Sequence, residues 1–111
     1  MQATHPLSVL VVDDHPDAAD SLADLLRLYG HRVAVARTAR EALEAAAVEP
    51  PDVALLDIRL PDLDGWQVAG LLRGSAGHRA RRPLVVAVTG CGSAADRWRS
   101  VAAGVDLHLV K

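Results

Sequence analysis

The sequence predicts an α/β domain in which a parallel β-sheet is wound with helices on both faces. Short apolar runs alternate along the chain with longer segments of helical periodicity. The runs contain almost no polar residues, which is typical of strands that are buried on both faces. The chain has 111 residues, of which 50% are hydrophobic. This length and composition suit one domain, spanning residues 1–111, with a continuous core.

The apolar runs give the strands of the predicted sheet. The first run is interrupted only by Ser8, and the third and fourth have no polar residue at all. The second is shorter and follows a simple alternation between Val33 and Ala36. The predicted strands cover residues 7–12, 33–36, 53–56, 84–88 and 107–110.

The first two helices are predicted from apolar spacing and from their end signals. Pro16 suits the first turn of the first helix, and Gly30 suits its C-terminal end. Thr38 and Glu41 have the spacing of a capping box that opens the second helix, and the two prolines at 50–51 end it. The inner faces are expected at Ala19, Leu22, Ala23 and Leu26 and at Ala39, Ala42, Leu43 and Ala46.

Two further helices follow the third and fourth strands. Asp64 and Gln67 have capping-box spacing for a helix that runs to about Arg73, followed by a polar loop over 74–83. Ser93 can cap the fourth helix, which Gly104 ends. Its inner face is predicted to contain Ala94, Ala95, Trp98, Val101 and Ala102.

The resulting element order is βαβαβαβαβ, which is typical of a doubly wound sheet. The flavodoxin-like strand order 2-1-3-4-5 reverses its winding between strands one and three. A closing helix would be expected after strand five, where the sequence ends. We therefore expect a single domain that is truncated after its fifth strand.

Composition excludes several classes of function. The formal net charge is −2 and charged residues make up 23%, which argues against broad electrostatic binding of nucleic acid or of an anionic membrane. The apolar runs are too short to span a bilayer, and no signal peptide is recognisable. One cysteine cannot form an internal disulfide, so a reducing, cytoplasmic location is expected. The histidines lack metal-ligand spacing, and His15 is expected to be a surface or capping residue.

Polar residues follow the apolar runs at the strand ends. Asp13 and Asp14 follow strand one, Asp57 follows strand three, Thr89 follows strand four and Lys111 follows strand five. Because ligands of open α/β sheets bind at the carboxyl ends of the strands, these side chains should converge in one crevice. Carboxylates that lie close together favour a hard cation such as Mg²⁺, and an aspartate can accept a phosphoryl group covalently.

Four motifs contain these strand-end residues. They are Val-Leu-Val-Val-Asp-Asp (9–14), Leu-Leu-Asp-Ile-Arg-Leu-Pro-Asp-Leu-Asp-Gly (55–65), Val-Thr-Gly (88–90) and Ala-Gly-Val-Asp-Leu-His-Leu-Val-Lys (103–111). In this order they resemble the receiver domain of two-component response regulators, similar to chemotaxis regulators. The resemblance covers essentially the whole chain and implies a signalling switch rather than a dedicated enzyme.

The resemblance implies a metal site and a phosphoacceptor. Asp57 would take a phosphoryl group from a histidine kinase or a histidine phosphotransfer protein. Asp14 would bind Mg²⁺ directly and Asp13 mostly through water. Asp57 and the backbone carbonyl of Arg59 would complete the protein ligands.

The resemblance also implies a switch that reads the phosphoryl group. Thr89 would move to donate a hydrogen bond to it, and Lys111 would pair with it. His108 stands where receivers usually carry a phenylalanine or tyrosine that rotates with the threonine. Since histidine is smaller and titratable near neutrality, we expect a weaker or pH-dependent coupling.

Other functions fit the sequence less well or stay open. A phosphatase of the haloacid dehalogenase type needs an aspartate where Arg59 stands, and a dinucleotide site needs a glycine-rich turn after strand one. The C-terminal receiver of a hybrid histidine kinase and a degenerate receiver that only docks a partner remain alternatives. A homodimer on phosphorylation, the output domain and the cognate kinase are left open, and no contact with nucleic acid or membrane is expected.

Overall fold

A computed structural model describes residues 5–58, 60, 62, 64–75, 83–89, 98–99 and 102–110, with backbone alone at 73–75, 89 and 110. Within these ranges the chain forms the predicted parallel sheet in the order β2-β1-β3-β4-β5. The strands are β1 (Ser8–Val12), β2 (Arg32–Ala36), β3 (Val53–Asp57), β4 (Leu84–Thr89) and β5 (Leu107–Val110).

Three helices are defined along their whole length: α1 (Pro16–Leu28), α2 (Ala39–Val48) and α3 (Gly65–Ser75). The backbone of Gly30 after α1 has φ 94°, a left-handed conformation that glycine adopts without steric cost. At α2, the side chain of Thr38 accepts a hydrogen bond of 3.1 Å from the Glu41 amide. This confirms the predicted start of the second helix.

The capping box at α3 is reciprocal. The Gln67 amide donates to Asp64 Oδ1 at 2.8 Å, and the Asp64 amide donates to Gln67 Oε1 at 3.3 Å. The helix continues to Ser75, so the prediction of a loop from Gly74 is wrong by two positions. Glycine is a poor helix former but does not forbid a last turn, and helix ends are the least determined part of a sequence pattern.

The sheet separates two apolar clusters. Successive strand residues point to opposite faces, so Leu10 and Val12 join the cluster under α2 and α3, whereas Val9 and Val11 join the one under α1. The larger cluster also buries Leu56, Val68 and Leu72. These clusters hold the strands in register and thereby fix the polar residues that follow them.

The fourth predicted helix falls largely outside the described residues, and the two predicted inner-face residues that are described, Trp98 and Ala102, are both exposed. Trp98 is 74% exposed, so its assignment to the core-facing side is wrong. The neighbouring residue Arg99 lies over the Trp66 ring, and Ala103 packs against the larger cluster. Alanines on several sides of this segment did not define which side of the helix faces the core. The inward contacts are made one position later than predicted, at Arg99 and Ala103.

No helix in the described part of the chain is long and apolar enough to cross a membrane.

Candidate functional site

The carboxyl ends of β1 and β3 form one edge of the sheet. Val12 pairs with Leu56 across the two parallel strands, so Asp13 and Asp57 occupy the next positions on neighbouring strands. Asp57 is 6% exposed, and its backbone pairs with Val88 on β4. The apolar runs therefore place one carboxylate in a buried position at the centre of this edge.

Three carboxylates and one imidazole gather there. One ligand atom from each of Asp13, Asp14, His15 and Asp57 can be chosen so that all four lie within 4.8 Å of one another. Asp57 is buried, the Asp13 side chain is 13% exposed and that of Asp14 is 36% exposed. The site thus grades from a buried carboxylate to a solvent-facing one.

The donor set fits a hard divalent cation. Carboxylate oxygens are the protein ligands that Mg²⁺ prefers, and it usually keeps waters in its other positions. Three negative groups at this spacing repel one another, and a cation between them removes that repulsion. The exposed side of the site, at Asp14, leaves room for those waters.

His15 is part of the cluster, which sequence reasoning missed. Its Nδ1 lies 3.2 Å from Asp13 Oδ1, 3.1 Å from Asp14 Oδ1 and 4.0 Å from Asp57 Oδ2. The residue is at the N-cap position of α1, but its side chain makes no capping hydrogen bond. A histidine directly after two aspartates was the available signal, and the turn geometry that brings its ring back over them was not visible in the sequence.

The segment after Asp57 is held by backbone contacts. The Gly65 amide donates to the Ile58 carbonyl at 2.7 Å. A Cβ at Gly65 would lie 2.6 Å from Ile58 Cα and 2.9 Å from the Asp57 carbonyl oxygen. This position therefore accepts only glycine without a shift of the backbone next to the buried carboxylate.

Asp62 ties the same segment to α2. Its carboxylate accepts hydrogen bonds from the Ala39 amide at 2.9 Å and the Arg40 amide at 3.1 Å. These are the first two amides of α2, which have no partner inside the helix. A negative side chain at this end is also favoured by the helix dipole. The contact of Asp62 with these amides was also not predicted from the sequence, because it joins residues that are far apart in the chain.

The remaining predicted site residues are described in part. Thr89 is the last residue of β4 and pairs with Val110 on β5, so its backbone lies at the same edge of the sheet as Asp57. His108 pairs with Ala87 and is half-buried. Arg59 and Lys111 lie outside the described residues, so their predicted roles stay predictions.

The sequence profile described as "Response regulator receiver domain" matches residues 9–111. Among curated proteins, the transcriptional regulatory protein KdpE of Mycobacterium tuberculosis is 38% identical over 103 residues, which cover 93% of this chain and 43% of that protein. The transcriptional regulatory protein PrrA of the same species is 42% identical over 103 residues, with coverages of 93% and 42%. This chain therefore spans less than half the length of these relatives.

Solved structures agree with the sequence relatives. A CheY-like response regulator receiver domain protein from Methanospirillum hungatei matches with a TM-score of 0.84 and 31% identity, over 96% of this chain and 82% of that one. The five-stranded parallel sheet in the order 2-1-3-4-5 is common to this fold. The predicted resemblance and the predicted fold are thereby confirmed.

Proposed function

Because the chain belongs to the family of response regulator receiver domains, we propose that Asp57 accepts a phosphoryl group from a histidine kinase or a histidine phosphotransfer protein. The observation that carries this proposal is a buried carboxylate at the switch point of the sheet, next to two more exposed ones. The domain acts as a signalling switch, and its own side chain is the substrate.

The chemistry follows from the arrangement of one buried carboxylate beside two more exposed ones. An oxygen of Asp57 attacks the phosphorus, the bond from phosphorus to the donor breaks, and the donor leaves with the electron pair of that bond. Asp57 is held by its strand and by the backbone contacts at Ile58 and Gly65, which orients the attacking oxygen. Positioning of this kind and charge neutralisation account for most of the catalysis in phosphoryl transfer.

Asp13, Asp14 and Asp57 would hold Mg²⁺, with the carbonyl of Arg59 as a further ligand. When bound, the cation supplies positive charge that offsets the repulsion between the carboxylates and the incoming phosphoryl oxygens. The exposed position of Asp14 lets a hydrated ion enter without a rearrangement of the buried side.

Thr89 and Lys111 would contact the phosphoryl group once it is on Asp57. Both follow from the family motif, and the end of β4 lies beside the end of β3 in the sheet. Movement of Thr89 with His108 would then carry the change to β5 and its surroundings. Such a switch is a population shift, since the phosphoryl contacts exist in only one of the two states.

We assign residues 1–111 to a single receiver domain of a cytoplasmic regulator. Two of its relatives are named as transcriptional regulatory proteins, and this chain covers less than half of each. The domain would control an output domain or a partner protein.

Acetyl phosphate tests the proposal without the cognate kinase. The chain is incubated with acetyl phosphate and Mg²⁺, and intact mass is measured for the wild type, Asp57→Asn and Asp24→Asn. Asp24 is an exposed carboxylate on α1 and serves as the matched control. We expect one added phosphoryl group in the wild type and in Asp24→Asn, with none in Asp57→Asn or after removal of Mg²⁺. An adduct that persists in Asp57→Asn would overturn the assignment.

A further inference from the structure

We propose that His15 is an additional metal ligand of this site, which strengthens the preference of the site for borderline divalent cations such as Ni²⁺ beyond that of an all-oxygen site. The inference rests on the proposed metal site at Asp13, Asp14 and Asp57. It concerns a residue outside the predicted ligand set, and it makes the identity of the bound ion depend on one side chain.

The distances fit ligands around one ion. Two ligands at right angles, each about 2.1 Å from a metal, lie about 3.0 Å apart, and two opposite ligands lie about 4.2 Å apart. His15 Nδ1 is 3.1 Å from Asp14 Oδ1 and 3.2 Å from Asp13 Oδ1, and it is 4.0 Å from Asp57 Oδ2. The nitrogen therefore lies close enough to all three carboxylates to bind the same ion.

The position of the ring is not explained by capping of the helix. His15 occupies the N-cap position of α1, but its side chain accepts no hydrogen bond from the helix amides. Instead, its backbone amide donates to Asp13 Oδ1 at 2.9 Å, which closes a short turn and brings the ring over the carboxylates. The side chain is 70% exposed, so an ion from solution can reach Nδ1.

The chemistry of imidazole decides which ions gain from this ligand. Imidazole suits Ni²⁺ and Zn²⁺, whereas Mg²⁺ prefers carboxylate, carbonyl and water oxygens. Nδ1 must offer its lone pair to the metal, so the ring proton would be carried by Nε2 in the bound state. Removal of the ring should then weaken Ni²⁺ binding and leave Mg²⁺ binding, which depends on the three carboxylates, nearly unchanged.

A different role for the ring gives the opposite result. If Nδ1 carries a proton and serves only as a hydrogen-bond donor to Asp13 and Asp14, it occupies the place of the ion. Every divalent cation would then bind more tightly once the ring is removed. The two roles are therefore separated by comparing two metals in the same variants.

The experiment is a calorimetric titration of the whole chain with NiCl₂ and, separately, with MgCl₂. The variants are His15→Ala and His15→Asn, and asparagine keeps a good N-cap residue at the start of α1. The matched control is His5→Ala, which removes an exposed histidine outside the cluster. Competition of excess MgCl₂ against NiCl₂ identifies the heat that belongs to the carboxylate site.

We expect the Kd for Ni²⁺ at this site to rise at least about tenfold in both His15 variants, because loss of even an outer partner of a metal ligand typically costs about tenfold or more. The Kd for Mg²⁺ should stay nearly constant, and His5→Ala should behave like the wild type. In NMR spectra, Ni²⁺ should broaden the ring resonances of His15 first. Equal changes for the two metals, tighter binding of both, or Ni²⁺ that Mg²⁺ does not displace would each overturn the proposal.

The titrations need no phosphoryl donor, so their failure is separate from that of the proposed function. If Asp57 accepts a phosphoryl group but the two metals respond equally to His15→Ala, the His15 ligand is refuted alone. If the metals respond differently but Asp57 takes no phosphoryl group, the phosphoacceptor assignment is refuted and the ligand stands.

Discussion

The two strand ends that build the site are organised in opposite ways. After β1, Asp14 and His15 face solvent, and the turn is closed by the hydrogen bond from the His15 amide to Asp13. At the end of β3, Asp57 and the following Ile58 are buried, and the backbone of Gly65 lies close against them. One end is open to solvent, and the other is packed from several directions.

The difference separates two tasks. The group that forms a covalent bond must be held in one orientation, because a small misplacement of reacting atoms is costly. The groups that bind an ion must instead admit it from water together with part of its hydration shell. The packed end of β3 suits the first task, and the open end of β1 suits the second.

The largest effect is expected where the packed end is tightest. Gly65→Ala would place a Cβ 2.6 Å from Ile58 Cα, so backbone next to Asp57 must move. We expect a loss of about 2 to 3 kcal/mol in the free energy of unfolding, in the upper range for single substitutions. Urea denaturation followed by circular dichroism measures this.

Gly70→Ala is the matched control within the same helix. Among the described residues, a Cβ there would meet only the Ala103 carbonyl oxygen, at 4.0 Å, which is an ordinary contact distance. Alanine is the better helix former, and a gain of roughly 0.5 to 1 kcal/mol is expected. Similar losses in both variants would show that the close approach at Gly65 is not what distinguishes the packed end.

An intermediate effect is expected at Asp62. Asp62→Ala removes the acceptor of two α2 amides and should cost about 1 kcal/mol, as the loss of a helix cap does. Asp62→Asn keeps one acceptor oxygen and should cost less. Urea midpoints of the two variants give the comparison, and an alanine variant as stable as the wild type would mean that this contact does not support the packed end.

The smallest effect on stability is expected at the open end. His15→Ala removes an exposed side chain that makes no capping hydrogen bond, and its contacts with Asp13 and Asp14 are solvent-exposed and therefore weak. The free energy of unfolding should change by less than about 0.5 kcal/mol. Thermal denaturation without divalent cations checks this. A loss as large as that of Asp62→Ala would contradict the view that the β1 end carries ion binding rather than stability.

The packed and open ends also differ in what the sequence could predict. The apolar runs end at Asp13 and Asp57. Once these runs are read as neighbouring parallel strands, their pairing brings the two carboxylates to one edge of the sheet. The two capping boxes followed from equally local signals, whereas the strand order was expected from the known flavodoxin-like arrangement of this element pattern. Local periodicity thus predicted the fold and the acidic centre of the site.

Contacts that join distant segments could not be predicted in this way. Asp62 reads as a turn residue, and only the fold brings it to the amides of α2. The position of the His15 ring depends on the path of the backbone after β1. The exposure of Trp98 depends on the rotation of a helix about its axis. Each of these was decided by tertiary packing, which an alternation of apolar and polar residues does not encode.

In the proposed reaction the packed carboxylate of Asp57, rather than either open one, carries the phosphoryl group. Peptide mapping with mass spectrometry identifies the modified residue after reaction with acetyl phosphate and Mg²⁺, with borohydride used to trap the acyl phosphate. We expect the reduced residue to be Asp57 and expect Asp13 and Asp14 to be unchanged. Trapping at Asp13 or Asp14, or no trapping at Asp57, would contradict the proposed reaction.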